Sequence, residues 1–329
     1  MSVQQPNLNV SQEIYKKISK FVPENEWKVH APLIEKINKL KKEKDAVILA
    51  HNYQTPEIYH GVADISADSL ALALEAAKTK AQIIILCGVH FMAETAKLMS
   101  PNKKVLLPDM KAGCSLSSSV TGNDVRLLKK KYPGVPVVSY VNTSADVKAE
   151  TDVCCTSANA VKIVQSLGVK KVIFLPDDFL AKYVASQTDV EIISWKGICI
   201  VHDQFNENEI NNIRKNNPGI KIIAHPECPP DVIKASDFAG STSGMIKYVK
   251  DNQPKKVMMV TECSMSDNIQ IDNPNVEFIR PCNLCPHMKR ITLPKILDCL
   301  RKESNEILMS EETIKKAKKS VVRMAEVGR

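Results

Sequence analysis

Short apolar runs alternate with amphipathic stretches along most of the chain. The runs are rich in Val and Ile: AVILA at 46–50, IIIL at 83–86, VPVVSYV at 135–141, VIFL at 172–175, IKIIA at 220–224 and VMMV at 257–260. Their brevity and branching predict strands buried on both faces, and the helical patterns between them predict parallel βαβ units. A further helix is predicted near 11–21, ahead of the first run. The order of apolar run, turn, helix, second run, helix and third strand occurs three times. The expected fold class is α/β: three Rossmann-like αβα units with parallel sheets and right-handed crossovers.

Two of the units match residue by residue. Residues 140–164 read YVNTSADVKAETDVCCTSANAVKIV and residues 225–249 read HPECPPDVIKASDFAGSTSGMIKYV, a constant offset of 85. Asp146 matches Asp231, Asp152 matches Asp237 and Lys162 matches Lys247. The register runs from the Pro133-Gly134 and Pro218-Gly219 pairs to Lys171-Val172 and Lys256-Val257. A weaker copy, AHNYQTPEIYHGVADISADSLALAL at 50–74, lies 88–89 residues earlier. All three share an Asp and, five positions on, a hydroxyl: Asp64 and Ser69, Asp152 and Ser157, Asp237 and Thr242. Self-similarity at one period marks repeated supersecondary units. The expected arrangement is pseudo-three-fold around a central active site. The units are 1–113, completed by C-terminal helices in 286–329, then 114–198 and 199–285. The Pro-Gly turns are read as joints between units.

The same period picks out candidate chemistry. Of the ten cysteines, Cys114, Cys199 and Cys285 are spaced by 85 and 86 residues, and the other seven form no such triple. A free Cys is ordinarily a buried small hydrophobe. Three at equivalent positions converge instead on the axis of the assembly, where three thiolates make a metal centre. A [4Fe–4S] cluster on three thiolates keeps one iron open as a Lewis acid, suited to dehydration and condensation. Zinc competes, because Cys282 and Cys285 have a CxxC spacing. That spacing also suggests a Cys282–Cys285 disulfide that would remove a ligand.

Each first strand ends in a polar pair at i, i+2: His51 and Tyr53, Tyr140 and Asn142, His225 and Glu227. Extended backbone puts such a pair on one face, and ligands of parallel sheets bind beyond the strands' carboxyl ends. Ser69, Ser157 and Thr242 read as helix N-caps, which would also aim helix N-termini at an anion.

Composition narrows the class. The chain has 329 residues, 44% hydrophobic and 25% charged, with a net charge of +8. That is ordinary for a globular protein and excludes extended disorder. Aromatic residues are only 5% and no basic run is interleaved with them, so nucleic-acid binding is not expected. A basic pocket for acidic small molecules is the alternative use of the charge. No run reaches ~18 apolar residues and no apolar segment opens the chain, so no membrane contact and a cytoplasmic location are expected.

The motifs together resemble the quinolinate synthase family. They are AHNYQ at 50–54, ADSL at 67–70, FMAETAK at 91–97, AGCSL at 112–116, YVNTSADVKA at 140–149, TSAN at 156–159, WKGICIVH at 195–202, HPEC at 225–228, GSTSGM at 240–245 and CPHMK at 285–289. The resemblance covers roughly residues 30–300. It implies condensation of iminosuccinate with dihydroxyacetone phosphate to quinolinate, with loss of phosphate and two waters, in NAD biosynthesis. It implies a [4Fe–4S] cluster on Cys114, Cys199 and Cys285, with Cys282 a bystander. It implies substrate contacts at His51, Ser69, Tyr140, Val141, Asn142, Ser157, His225, Pro226, Glu227, Thr242 and His202, with Val141 and Pro226 contributing backbone alone. Glu227 is the expected general acid/base, assisted by Tyr53 or Tyr140. A functional link to the enzyme supplying iminosuccinate is expected. A cluster-dependent hydro-lyase acting on a hydroxy acid is the competing reading.

Overall fold

The computed structural model describes residues 8–280 and 282–328. Helices α1 (Leu8–Ile18) and α2 (Glu24–Glu43) lead into β1 (Ala46–His51), α3 (Pro56–Tyr59), β2 (Ile65–Ala67), α4 (Ser69–Lys78), β3 (Ile83–Cys87), α5 (His90–Met99) and β4 (Lys104–Leu106). The second sheet follows α6 (Ser115–Ser118) and α7 (Gly122–Lys131). Its order along the chain is β5 (Val137–Tyr140), α8 (Ala145–Ala149), β6 (Val153–Cys155), α9 (Ala160–Ser166), β7 (Lys171–Leu175), α10 (Asp178–Ala185) and β8 (Glu191–Ser194). The third follows α11 (Glu207–Asn216): β9 (Lys221–Ala224), α12 (Pro230–Ala235), β10 (Phe238–Ala239), α13 (Thr242–Asn252), β11 (Lys256–Val260), α14 (Cys263–Asp272) and β12 (Glu277–Ile279). Helices α15 (Leu293–Lys302) and α16 (Glu311–Val327) follow.

The three parallel sheets repeat one strand order: β2-β1-β3-β4, β6-β5-β7-β8 and β10-β9-β11-β12. Each therefore has four strands, one more than the hydrophobic pattern reveals. The extra strand is the short edge strand beside the first: ISA, VCC or FA. Two or three residues are too few to show a period. The central strands are buried on both faces. In the third sheet Ile222 and Met258 pack on one side, while Ile223 and Met259 pack on the other. Sheets one and two share a core, in which Ile48 and Leu86 join Val138 and Phe174. Helix α15 lies on α2 and β3, whereas α16 lies across α8, α9, β6 and α5. Among the described residues no helix is long and apolar enough to cross a membrane.

The repeated Asp performs the same structural task three times. Asp64, Asp152 and Asp237 each accept, through Oδ2 at 2.8 Å, the backbone N–H of Ile48, Val137 and Ile222 respectively. Each also donates its own N–H to the carbonyl of that same residue. The pair of bonds clamps the edge strand's entry to the first strand. Asp237→Ala leaves the Ile222 N–H without its partner, and a destabilisation of about 1–3 kcal/mol is expected in chemical unfolding at neutral pH. Burial works against the Asp237 carboxylate, but the Ile222 N–H, Arg214 and Lys221 hold its pKa below the ordinary 3.8. The stabilisation is thus present above the unfolded-state pKa and lost as pH falls through the folded one. The gap between wild type and variant should shrink at acid pH, and an undiminished gap would argue against the clamp.

Two local readings are corrected. Ser69 and Thr242 are the first helical residues of α4 and α13, not their caps. The caps are Asp68, accepting from Ala71 N at 2.9 Å, and Ser241, accepting from Gly244 N at 3.2 Å. Ser157 lies two residues before Asn159, which caps α9. With capping done elsewhere, the three hydroxyls line the cavity described below, Thr242 accepting from Asn52 Nδ2 at 3.0 Å and Ser157 paired with His225. The Pro-Gly turns join a helix to the first strand of a sheet, α7 to β5 and α11 to β9, and are not joints between units. Gly134 and Gly219 adopt φ of +79° and +81°, a region glycine enters without a Cβ clash.

Candidate active site

The carboxyl ends of β1, β5 and β9 open into one cavity. His51 and Tyr140 end their strands, and His225 follows the third. Tyr53, Asn142, His202, Glu227, Ser69, Ser157, Thr242, Cys114, Cys199 and Cys285 also line it. Val89, Phe91, Met92, Val201 and Met288 supply apolar wall. Val141 and Pro226 lie buried outside the lining. The Val141 N–H donates to Cys155 O at 2.8 Å, and its carbonyl accepts from Thr143 N at 2.8 Å and Lys148 Nζ at 2.9 Å. Its backbone is thus occupied within the wall.

A continuous hydrogen-bonded chain crosses the cavity wall. The Tyr140 hydroxyl donates to Glu227 Oε1 at 2.5 Å. Glu227 Oε2 lies 2.9 Å from His202 Nδ1, and His202 Nε2 lies 2.9 Å from Thr261 Oγ1. Thr261 Oγ1 in turn stands 2.6 Å from the Tyr53 hydroxyl. On the opposite side, Ser157 Oγ is 3.0 Å from His225 Nε2. His51 Nδ1 and His225 Nδ1 each accept the backbone N–H two residues on, from Tyr53 and Glu227 at 3.3 Å. Both neutral rings therefore carry their proton on Nε2.

Burial sets the protonation states. It lowers His51 to about 4 and His225 to about 3, so both are neutral at physiological pH. It raises Tyr53 and Tyr140 well above the usual phenol value, so both remain donors. Burial also opposes the Glu227 carboxylate, yet the facing His202 and His225 and the hydrogen bonds from His202 and Tyr140 hold its pKa below the usual range. With His225 neutral, that stabilisation rests on His202 and Tyr140. No Lys or Arg lines the cavity among the described residues, and its acidic lining groups are Asp68 and Glu227. The expected basic pocket is therefore absent. Anion recognition falls to hydroxyls, imidazole N–H groups and the N-termini of α4 and α13.

The three period-matched cysteines have one local geometry. The backbone N–H groups two and three residues on are directed at each sulfur: Leu116 and Ser117 at Cys114, Val201 and His202 at Cys199, His287 and Met288 at Cys285. Burial raises all three thiols, Cys114 to about 12. The Cys199 loop is held close by Gly197, where a Cβ would stand 2.5 Å from Pro176 O. Cys282 is exposed, and the sulfur it meets is Cys263 at 3.5 Å, not Cys285.

The family model for quinolinate synthetase A protein matches residues 35–326. The chain belongs to that family. It is 60% identical over 311 residues to the quinolinate synthase of Sinorhizobium fredii, covering 94% of this chain and 87% of that protein. It is 56% identical over 318 residues to the quinolinate synthase of Caulobacter vibrioides, covering 95% and 87%. The Xylella fastidiosa quinolinate synthase is 58% identical over 291 residues, covering 88% and 86%.

A quinolinate synthetase A enzyme is expected to hold a metal cofactor, and the residues present fit one. Three half-buried thiols with raised pKa need a cation before they ionise. Paired N–H groups then offset the charge on each sulfur. A second donor set overlaps the first: Cys199, His202 and Glu227 bring their ligand atoms within 4.8 Å of one another. Two residues behind the cavity lining escape sequence reasoning. Lys148 is fully buried and donates to the carbonyls of Val141 and Thr143, which fixes the loop carrying Asn142. Thr261 joins Tyr53 to His202. The signal for Lys148 is its place in the YVNTSADVKA repeat segment. Thr261 lies in no repeated position or motif.

Proposed function

We propose that the protein condenses iminosuccinate with dihydroxyacetone phosphate to form quinolinate, with a [4Fe–4S] cluster on Cys114, Cys199 and Cys285. The observation that carries this reading is the joining of three thiols and the Tyr140–Glu227–His202–Thr261–Tyr53 chain on one cavity in a member of this family. The two substrates convert to quinolinate, one phosphate and two waters with no change in total oxidation level, so no external oxidant or reductant is needed. When bound, the cluster supplies an iron with an open position that polarises a substrate oxygen or nitrogen.

The chain's own residues do the rest. The amide ends of α4 and α13, with Ser69 and Thr242, bind carboxylate or phosphate oxygens. Ser157, whose Oγ accepts the Nε2–H of His225, offers its own hydroxyl proton from the opposite wall. Asn142 orients the substrate beside Glu227, its amide 3.5 Å from Oε1. Glu227 is the acid/base group for imine–enamine exchange, carbonyl isomerisation and dehydration. Tyr53, kept protonated by burial, donates to developing oxyanions, and Tyr140, also kept protonated, holds the Glu227 carboxylate through its own hydroxyl. The apolar wall shields the hydrolysable imine from water. That lability also supports a functional link to an enzyme that releases iminosuccinate nearby.

The test is anaerobic assay of the iron–sulfur-reconstituted protein with both substrates. Quinolinate and inorganic phosphate should appear in equal amounts. Water loss from a hydroxy acid, with neither quinolinate nor phosphate formed, would replace this reading with the hydro-lyase.

A further inference from the structure

Cys285 lies outside regular secondary structure, in the turn between β12 and α15. The other two cysteine loops are fastened to each other: Ser115 Oγ donates to Ile198 O at 3.0 Å and accepts the Ile200 N–H at 3.3 Å. A buried ion pair fastens the Cys285 turn instead. Lys289 Nζ lies 2.9 Å from Glu262 Oε1, with the Glu262 side chain fully covered and the Lys289 side chain 21% exposed. Cys285 donates its backbone N–H to the same Oε1 at 3.4 Å, and Ser264 donates its own to Oε2 at 2.9 Å. These three partners of Glu262 are all donors, the arrangement that a carboxylate satisfies.

Lys289 extends the connection to the first sheet. Its ammonium donates to Tyr53 O at 2.7 Å and to Ser264 Oγ at 2.7 Å. Three protons thus meet three acceptors. One bridge therefore joins the Cys285 turn to the loop that leaves β1 and carries Tyr53. Removing the ammonium alone would leave the Glu262 carboxylate buried and uncompensated.

We propose that Lys289 is a positioning residue: through Glu262 it holds the Cys285 turn ready for the cluster, and through the Tyr53 carbonyl it keeps that turn in register with the substrate wall. The inference rests on the function proposed above only for the presence of the cluster. Methionine at 289 has a similar length but neither the charge nor the donors. Glutamine at 262 keeps the shape but removes the charge that the ammonium meets.

The test uses the full chain as wild type, Lys289→Met, Glu262→Gln and Lys41→Met, each reconstituted anaerobically. Lys41 is the control, a covered lysine outside the cavity lining with partners of the same kind, Asp64 Oδ1 and Val62 O, both at 2.7 Å. Iron loss to excess chelator should be about 10- to 100-fold faster than wild type in Lys289→Met and within about threefold of it in Lys41→Met. The EPR spectrum of the reduced cluster should change in Lys289→Met and not in Lys41→Met. Glu262→Gln should also lose iron faster, and it replaces Lys289→Met if that variant does not fold. Hydrogen exchange of the iron-free chain gives a readout that needs no cluster. Amides in 51–54 and 285–289 should exchange at least about 10-fold faster in Lys289→Met, with those of β5 and β7 unchanged. Iron loss at the wild-type rate in Lys289→Met, equally fast loss in Lys41→Met, or unchanged exchange in either segment would each overturn the proposal. A wild-type chain that assembles no iron–sulfur cluster would refute the proposed function instead, and the exchange measurement would still decide the role of Lys289.

Discussion

Serine at any one of positions 114, 199 or 285 is expected to leave a folded chain that neither retains iron nor forms quinolinate. The sulfurs are the soft donors of the cavity, and an alcohol oxygen does not replace a thiolate toward iron. Each cysteine stands at the end of a loop and is only partly covered, so its loss should not collapse a core. Wild type should carry about four irons per chain after anaerobic reconstitution, and each of the three variants well under half of that. Quinolinate formation should fall below detection, on the order of 10³-fold or more. Cys282→Ser is the control. That residue is exposed and directed at Cys263, so iron and activity should both persist. Iron, sulfide and turnover measured together decide the matter. A wild-type iron content in any of the three ligand variants would sink the assignment, as would iron loss in the control.

Glu227→Gln should be the most damaging change that leaves the cofactor in place. The residue is 4% exposed, and its carboxylate takes hydrogen bonds from Tyr140 at 2.5 Å, His202 at 2.9 Å and Asn142 at 3.5 Å. The amide preserves shape but removes the charge and the proton-accepting capacity. A fall in kcat of about 10²- to 10⁴-fold is expected, with much smaller changes in KM. Tyr140→Phe should cost less, and the double variant little more than Glu227→Gln alone, because the phenol acts through that carboxylate. The comparison is informative only at equal iron content, which the same preparations report. If Glu227→Gln turned over at a tenth of the wild-type rate or better, the acid/base role would belong to another group.

The repeated Asp shows how local sequence and structure relate. Spacing alone marks Asp64, Asp152 and Asp237 as equivalent, but their neighbours Ser69, Ser157 and Thr242 invite a capping role that the structure gives to other residues. Hydroxyl and carboxylate are both good caps, so Asp68-Ser69 and Ser241-Thr242 are degenerate to sequence inspection. Backbone geometry chooses the first of each pair, and this frees the second. The basic pocket illustrates a different gap. The net charge of +8 is real, but burial near a metal centre selects neutral and polar groups, so the cavity wall carries none of the lysines or arginines.

Repetition is therefore what the sequence by itself determined. It marked three parallel αβα units, the central strands to within a residue or two and three cysteines at one period, because each is encoded by spacing along the chain. The tertiary structure alone decided which groups meet. Thr261 reaches Tyr53 across 208 residues, and Tyr140 reaches Glu227 across 87. It also decided that His51 and His225 are neutral and that α16 packs on α5 as well as on α8, α9 and β6. The physical reason is that hydrogen-bond partners and desolvation depend on the packing of separate sheets against one another, and no periodicity within a single unit records that packing.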